Sequence, residues 1–204
     1  MFCAVRQRRF SDLSASLEAA AIRDRIPLMG ALELTYRCNL SCCHCYCNLR
    51  ADDRKAAEEL TTAEWCRVID ETAAAGCLWM LLTGGEALVR KDFREIYLHA
   101  IRRGMIVEVF TNATRIDEET ARLFADYPPF GVDISIYGSE PDTHDRITGV
   151  PGSFRKMREG IDRLRAVGVG FSLKTILMTL NFAELAGIRR LADTLGARFH
   201  YDTL

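Results

Sequence analysis

The chain has 204 residues, of which 49% are hydrophobic and 27% are charged, a size and composition typical of one globular domain. It carries 27 basic and 28 acidic residues, so the net charge is −1, which gives no electrostatic reason to expect a nucleic-acid or anionic-membrane partner. No apolar run approaches the ~20 residues that a membrane span needs, and no signal-peptide pattern follows the basic residues 1–9. The sequence therefore predicts a cytoplasmic protein.

Residues 1–28 are predicted to form an N-terminal helical segment, with a helix over 11–26 that Pro27 ends. From residue 29 to 204 the pattern changes to a repeating alternation, which predicts one core domain. Short apolar runs predict six strands, over 32–36, 78–82, 106–110, 132–137, 171–177 and 198–201. Amphipathic segments predict five helices between them, beginning near Thr61, Asp92, Asp117, Ser153 and Phe182.

This alternation predicts an α/β fold, because each strand–helix–strand unit forms a right-handed crossover between parallel strands. We expect a partial (β/α)6 barrel of six parallel strands in which the helix after the sixth strand is missing. In such folds the chemistry collects where the strands end at their carboxyl side. Polar or glycine-rich residues follow all six predicted strands, so the sequence predicts a functional rim there.

The cysteines are the first unusual feature of that rim. The chain has eight of them, at 3, 38, 42, 43, 45, 47, 66 and 77, and a cluster of five within ten residues does not suit a disulfide scaffold. Cys38, Cys42 and Cys45 follow the first strand with C-x3-C-x2-C spacing. Three thiolates can hold three irons of a [4Fe–4S] cube. The alternative is a structural zinc site that takes further ligands from Cys43, His44 or Cys47.

A second feature follows the next strand, where Gly84 and Gly85 precede Glu86. Two glycines allow backbone to approach a ligand closely, and a carboxylate beside them can face an ammonium group. A tight turn is the plainer interpretation of the same residues. Thr111 and Asn112 follow the third strand, and Ser135 lies at the end of the fourth.

Together these residues resemble the radical S-adenosylmethionine superfamily. The cysteine motif and the Gly-Gly-Glu sequence carry the likeness, and the strings over 34–40, 133–138 and 144–154 extend it. They are similar to the branch whose members carry a C-terminal SPASM domain and modify peptides or proteins. The resemblance covers about residues 31–204.

The resemblance implies a radical S-adenosylmethionine enzyme. In this superfamily three cysteines bind [4Fe–4S], the reduced cluster cleaves S-adenosylmethionine, and the resulting 5′-deoxyadenosyl radical abstracts hydrogen from a substrate. By that similarity Cys38, Cys42 and Cys45 are the cluster ligands and the catalytic residues. The residues expected to contact S-adenosylmethionine are His44, Gly84, Gly85, Glu86, Thr111, Asn112, Ser135 and Arg146.

Three positions depart from the family pattern. His44 stands where the family usually has a larger aromatic residue, and Ala87 stands where proline usually follows the glutamate. Thr148 stands where relatives often have arginine. The positive group that would bind the carboxylate of S-adenosylmethionine is therefore either missing or supplied by Arg146.

The implied partners are a peptide or protein substrate and an external electron donor such as a flavodoxin or ferredoxin, with no nucleic acid and no membrane. The SPASM part is expected to be absent, so the chain alone is expected to be a poor catalyst on its natural peptide. The alternative is a truncated, non-catalytic iron–sulfur or zinc binding module, which the missing last helix favours. The Gly-Gly-Glu sequence favours the enzyme, because a zinc knuckle needs no such carboxylate.

Overall fold

The computed structural model describes residues 10–47 and 49–203. The basic residues 1–9, which the sequence analysis assigns to the N-terminal segment, lie outside them. The described helices are α1 (Phe10–Asp24), α2 (Thr62–Ala74), α3 (Phe93–Arg102), α4 (Glu118–Asp126), α5 (Pro141–Thr148), α6 (Ser153–Ala166) and α7 (Leu185–Leu195). The strands are β1 (Met29–Glu33), β2 (Arg37–Cys38), β3 (Leu49–Arg50), β4 (Trp79–Thr83), β5 (Ile106–Thr111), β6 (Gly131–Ser135), β7 (Ser172–Leu177) and β8 (Arg198–Thr203).

Six of the strands form one parallel sheet in the order β1-β4-β5-β6-β7-β8, and β2 and β3 pair separately. The order in the sheet is the order along the chain, without a reversal. Because crossovers between parallel strands are right-handed, an unreversed order puts the connecting helices on the same face of the sheet. The predicted α/β fold with six parallel strands is therefore confirmed.

The hydrophobic core lies between the sheet and those helices. Alternate strand residues, such as Met80, Val109 and Ile134, are fully buried and pack in one cluster with helix residues such as Ile96 and Ile161. The intervening strand residues are only half-buried. They point to the opposite side of the sheet, which we call the inner face.

Local signals in the sequence explain where the helices begin and end. Thr61 and Glu64 form the predicted capping box at the start of α2, and the Asp117 side chain accepts a hydrogen bond from the Thr120 amide at the start of α4, with 2.8 Å between the two atoms. Gly196 ends α7 in the left-handed conformation, at φ 69°. No helix in the described part of the chain is long and apolar enough to cross a membrane.

The short strands β2 and β3, which pair with each other, were not predicted, because two residues are too few to show an apolar period. Two further elements differ from the prediction. The first strand was predicted over 32–36 but lies at Met29–Glu33, because the backbone after Leu34 leaves the sheet to contact the loop that follows β4. The helix α5 was not predicted, since its eight residues carry too few apolar side chains to show a helical period. Its ends do carry signals, with Pro141 in the first turn and Gly149 in the left-handed conformation after the last.

Candidate functional site

The cysteine loop, residues 38–47, begins at the end of β2 and is held in place through its backbone. The Ser41 amide donates to the Thr148 carbonyl oxygen with 2.8 Å between the atoms, and the Cys43 amide donates to the Ile147 carbonyl oxygen at 2.9 Å. Both acceptors lie in the last turn of α5. Helix α5 therefore supports the cysteine loop by using carbonyl groups that a helix end leaves without partners.

The Gly-Gly-Glu turn, residues 84–86, packs against the chain that leads into the cysteine loop. The Gly85 amide donates to the Thr35 carbonyl oxygen at 2.7 Å, and the Glu86 amide donates to the Arg37 carbonyl oxygen at 2.9 Å. A Cβ atom on Gly84 would stand 2.3 Å from the Thr35 oxygen, and one on Gly85 would stand 2.5 Å from the Arg37 oxygen. The two glycines are therefore required where two segments of the protein's own backbone meet.

The Glu86 carboxylate is the centre of a buried hydrogen-bond group, with the residue only 1% exposed. Its Oε1 atom accepts from the Thr111 hydroxyl at 2.9 Å and from the Leu88 amide at 3.1 Å. Its Oε2 atom accepts from the Asn112 amide at 2.7 Å. Burial raises the pKa of this carboxyl, although the three donors oppose the shift. Since each carboxylate oxygen can accept two bonds, Oε2 keeps the capacity to accept one more.

Asn112 joins this group to the cysteine loop. Its side-chain amide nitrogen lies 3.3 Å from the Asn39 side-chain oxygen and 3.8 Å from the Cys38 sulfur. Its side-chain oxygen accepts from the Thr114 amide at 3.0 Å, as in a local turn. One side chain thus shapes its own turn and also reaches the first cysteine of the motif.

The three cysteines of the motif are half-buried free thiols that influence one another. Burial raises the pKa of Cys38 to about 11, while the Leu40 amide, 3.3 Å from its sulfur, acts in the opposite direction. Burial and the neighbouring thiols raise the pKa of Cys42 to about 12. The Cys38 and Cys42 thiols therefore keep their protons in the protein without metal, and binding as thiolates would release those protons.

The three thiols of the motif can be compared with the ligands that a zinc ion and an iron–sulfur cluster each require. Thiolates on a single zinc ion stand only about 3.7 Å apart, as tetrahedral Zn–S bonds of ~2.3 Å require. Within the described residues, no three His, Cys, Asp or Glu side chains form a group that could hold one metal ion. Thiolates on an iron–sulfur cube bind different irons and stand further apart. Three soft thiols on one loop fit, by their chemistry, an iron–sulfur cluster, copper(I) or zinc rather than a hard cation.

His44 lies beside an aromatic residue that the sequence analysis did not single out. Its ring meets the Tyr137 ring edge-on, with 4.7 Å between centroids, and its buried Nδ1 atom has no hydrogen-bond partner. Burial raises the pKa of the Tyr137 phenol, as do the nearby thiols of the cysteine loop, while a hydrogen bond with Ser135 lowers it. Tyr137 thus connects two predicted site residues, His44 and Ser135.

Arg146 is not brought together with the other predicted site residues. It is exposed on α5, and its guanidinium donates to the Leu180 carbonyl oxygen at 3.4 Å, beyond the end of β7. Thr148 is fully buried, with its hydroxyl 2.7 Å from the Ser153 hydroxyl. The Thr148 side chain thus packs inside the protein, and the Arg146 guanidinium contacts the segment that follows β7.

A buried ionic network behind the turn also escaped the sequence analysis. The Arg37 guanidinium contacts both oxygens of Glu59, with its shortest distance 3.0 Å, and Arg90 lies 3.4 Å from the same carboxylate. Arg90 also donates to the Leu34 carbonyl oxygen at 3.0 Å. The network holds the chain just before Cys38. No local pattern predicts it, because its members are far apart along the sequence.

The inner face carries charges of both signs below the rim. Glu108 and Asp133 lie close enough for Asp133, together with burial, to raise the pKa of Glu108. The Lys174 ammonium lies 3.2 Å from Asp202 and 4.8 Å from the centre of the Phe110 ring. The strand register also places Arg198 and His200 on this face, so acidic and basic groups are mixed there.

Comparison with known proteins agrees with this geometry. The chain matches the radical SAM superfamily over residues 32–192. It is 35% identical over 171 residues to an AdoMet-dependent heme synthase of Methanosarcina barkeri, covering 84% of this chain and 48% of that protein. It is 34% identical over 172 residues to a PqqA peptide cyclase of Rhodopseudomonas palustris, covering 84% of this chain and 45% of that protein.

Among solved structures, the fold resembles SuiB of Streptococcus suis. SuiB bound to the precursor peptide SuiA superimposes with a TM-score of 0.76 at 16% identity, covering 100% of this chain and 47% of that one. SuiB bound to S-adenosylmethionine gives a TM-score of 0.73 at 15% identity. The chain thus spans about half the length of the relatives it matches. The family match and the identity to enzymes of this family show that the chain belongs to the radical SAM superfamily.

Proposed function

We propose that the protein is a radical S-adenosylmethionine enzyme whose [4Fe–4S] cluster is bound by Cys38, Cys42 and Cys45. The observation that carries the proposal is the direct hydrogen-bond path from the Cys38 sulfur through Asn112 to the buried Glu86 carboxylate. A zinc knuckle needs no such path. A cluster with S-adenosylmethionine at its open iron does, because ligand and cluster must be held at one distance.

The protein's own residues then bind and orient the cofactor. The open acceptor position of Glu86 suits the methionine ammonium, and Gly84 and Gly85 set the turn that presents it. Ser135 and His44, joined through Tyr137, suit the ribose and adenine side. The buried aromatic contacts behind them exclude water. When bound, the cluster and S-adenosylmethionine supply one-electron cleavage and a carbon radical that abstracts hydrogen.

For the substrate we propose a peptide or protein. A peptide cyclase among the relatives and a precursor peptide in a SuiB complex support it. The heme synthase relative suggests a tetrapyrrole instead, but such molecules carry several carboxylates and need a basic surface. The inner face mixes acidic and basic side chains, namely Glu108, Asp133 and Asp202 with Lys174, Arg198 and His200. It is therefore not strongly basic, which favours the peptide.

We further propose that residues 29–204 form the core domain of this enzyme. This chain spans about half the length of the relatives it matches. The complete reaction is therefore proposed for the whole protein. An external electron carrier such as a flavodoxin or ferredoxin supplies the electron.

The test is metal content and cofactor cleavage in one preparation. After anaerobic reconstitution, we expect close to four irons and four sulfides per chain without stoichiometric zinc, and release of 5′-deoxyadenosine when reductant and S-adenosylmethionine are added. Cys38→Ala serves as the negative control and should release none. Stoichiometric zinc without iron would contradict the proposal. A complete cluster that never releases 5′-deoxyadenosine would favour the alternative, a binding module without catalysis.

A further inference from the structure

We propose that a groove beside the cysteine loop is the docking surface for a small acidic electron-carrier protein. The inference rests on the proposed function, because it assigns the surface through which the cluster receives its electron. Two cavities, of 570 and 790 Å³, share Leu88 and Arg115 in their linings and thus adjoin. We call them together the cationic groove.

The lining of the groove has more basic side chains than acidic ones. Lys91, Arg115 and Lys156 line it and are exposed, and their side chains make no ion pair or hydrogen bond within the described part of the chain. The acidic side chains at the groove are all engaged, as Glu59 and Asp92 are with Arg90. Glu159 pairs with Arg155, and Asp117 accepts from the Thr120 amide. A surface with more exposed cations than anions is complementary to an acidic partner.

The lining of the groove includes a residue that contacts the sulfur of Cys38, the first cysteine of the cysteine loop. Asn39 and Leu40 line it, and the Leu40 amide lies 3.3 Å from the Cys38 Sγ atom. Leu40 is itself buried, and with Leu88 and Val150 it supplies apolar surface among the charges. An apolar centre within a charged rim suits brief, electrostatically guided contacts of the kind that redox partners make.

The step that this surface serves is the transfer of one electron. The donor is oxidised by one electron and the cluster is reduced by one electron, with no bond formed or broken in either protein. A nucleic acid is the less suitable occupant. The three unpaired cations offer few phosphate contacts, and the chain as a whole carries a net charge of −1.

The experiment compares two double variants of the cluster-loaded protein with equal charge change. Lys91→Glu with Lys156→Glu reverses the groove, and Arg102→Glu with Arg198→Glu reverses two exposed arginines that line neither cavity. Binding of oxidised flavodoxin or ferredoxin is measured by calorimetry at low and high salt. Reduction of the cluster by the reduced carrier is followed by stopped-flow absorbance, without substrate or S-adenosylmethionine.

At low salt we expect the groove variant to bind the carrier about tenfold or more weakly and its cluster to be reduced about tenfold or more slowly. Both differences should shrink at high salt. The control should stay within about twofold of the unmodified protein, and Lys91→Gln with Lys156→Gln should lie between them. A small uncharged photoreductant should reduce every cluster equally. Equal rates for both reversed variants, or groove lysines that bind an oligonucleotide and no carrier, would overturn the proposal. A protein without any cluster would instead refute the proposed function.

Discussion

The two parts of the rim differ in how their polar side chains find partners. Beside β1, β4 and β5, which we call the cofactor half, Glu86, Thr111 and Asn112 bond to one another and to the cysteine loop while buried. Beside β6, β7 and β8, which we call the open half, Arg146 is exposed and Asp202 pairs with Lys174 near solvent. The cofactor half is thus preorganised by the protein's own bonds, whereas the open half leaves charged groups accessible.

Under the proposed function, this difference separates two tasks of one rim, cofactor binding and substrate binding. A cofactor common to a whole family needs a constant geometry, which buried and mutually bonded groups supply. A substrate needs groups that can form new bonds, and these are more accessible on the open half. We therefore expect substitutions in the cofactor half to act on cluster and cofactor, and those of exposed side chains in the open half, such as Arg146, to leave both largely unchanged. Ser135, at the end of β6, is the exception, because we assign it to the cofactor's ribose.

The largest effect is expected from the cluster ligands. Cys38→Ala, Cys42→Ala or Cys45→Ala should each abolish a stable cluster, because the loop then offers only two of the three thiolates. Cys43→Ala is the matched control, since Cys43 is exposed on the same loop. Iron and sulfide content after anaerobic reconstitution decides between them. Loss of iron from Cys43→Ala with retention in Cys42→Ala would show that the ligand assignment is wrong.

The close approach at the Gly-Gly-Glu turn should be nearly as sensitive. In Gly85→Ala the new Cβ would stand 2.5 Å from the Arg37 carbonyl oxygen, so the turn must move away from the cysteine loop. We expect a loss of about 3 kcal/mol or more in the free energy of unfolding. Gly170→Ala is the control, because its Cβ would meet no atom within 4 Å. Equal stability of the two variants in urea unfolding would argue that the close approach of Gly85 to the Arg37 carbonyl oxygen is not required.

A titration of His144 tests the support beneath the cysteine loop. This buried side chain accepts a hydrogen bond from the Tyr137 amide at 3.2 Å, and burial lowers its pKa to about 4. The unfolded chain takes up a proton near pH 6.5, so the stability that neutral His144 contributes is present above pH 6.5 and is lost as the pH falls toward 4. The loss amounts to about 3 kcal/mol at most.

His144→Asn provides the comparison, because its side-chain oxygen can still accept from the Tyr137 amide but does not titrate in this range. Urea unfolding of both proteins at pH 7, 6, 5 and 4 should show the unmodified protein losing more stability than the variant. Parallel curves would contradict a buried neutral histidine.

Glu86→Gln tests the cofactor half without altering its shape. Removing the charge should weaken S-adenosylmethionine binding, since a hydrogen bond to a charged group contributes ~1.5–3 kcal/mol, and about 1.4 kcal/mol is tenfold in affinity. The expected loss is roughly ten- to a hundredfold, measured by anaerobic calorimetry with the cluster retained. Glu108→Gln, a carboxylate on the inner face, should change this affinity by less than about twofold. Similar losses in both variants would show that the effect is a general one of removing a carboxylate and is not specific to Glu86.

The smallest effect is expected from Arg146→Ala. Even where it contributes to the clamp on the cofactor's carboxylate, an exposed ion pair is worth about 0–1 kcal/mol. Affinity for S-adenosylmethionine should therefore fall less than about fivefold in the same calorimetric assay. A loss as large as that of Glu86→Gln would show that Arg146 acts as a buried binding residue when the cofactor is present.

The sequence predicted those features that depend on periodicity and on local signals. Alternating apolar segments identified the six strands of the sheet, and the capping residues Thr61 and Asp117 located two helix starts. Because strands of a parallel sheet end at one rim, the cysteine motif and the Gly-Gly-Glu turn were also expected on the same side. The hydrogen bonds from Gly85 and Glu86 to the chain before Cys38 agree with that expectation.

The features that the sequence did not reveal are contacts between distant segments. Glu59 bridges Arg37 and Arg90, and no helical or strand period reports such a bridge. The prediction that Glu86 faces the cofactor did not include Thr111 and Asn112 as its donors, because the register of β4 against β5 decides which side chains meet. The contacts of Tyr137 with His44 and Ser135 were also not predicted, because an aromatic residue after a strand is ordinarily part of the core.

The most direct test of the account is the electron paramagnetic resonance spectrum of the reduced, reconstituted protein with and without S-adenosylmethionine. A cluster with three thiolate ligands and one open iron should give a [4Fe–4S] signal that changes when S-adenosylmethionine binds. The change should be weakened in Glu86→Gln and preserved in Glu108→Gln. A signal that S-adenosylmethionine leaves unaltered, in a protein that holds a full cluster, would contradict the assignment of Cys38, Cys42, Cys45 and Glu86 to one cofactor site.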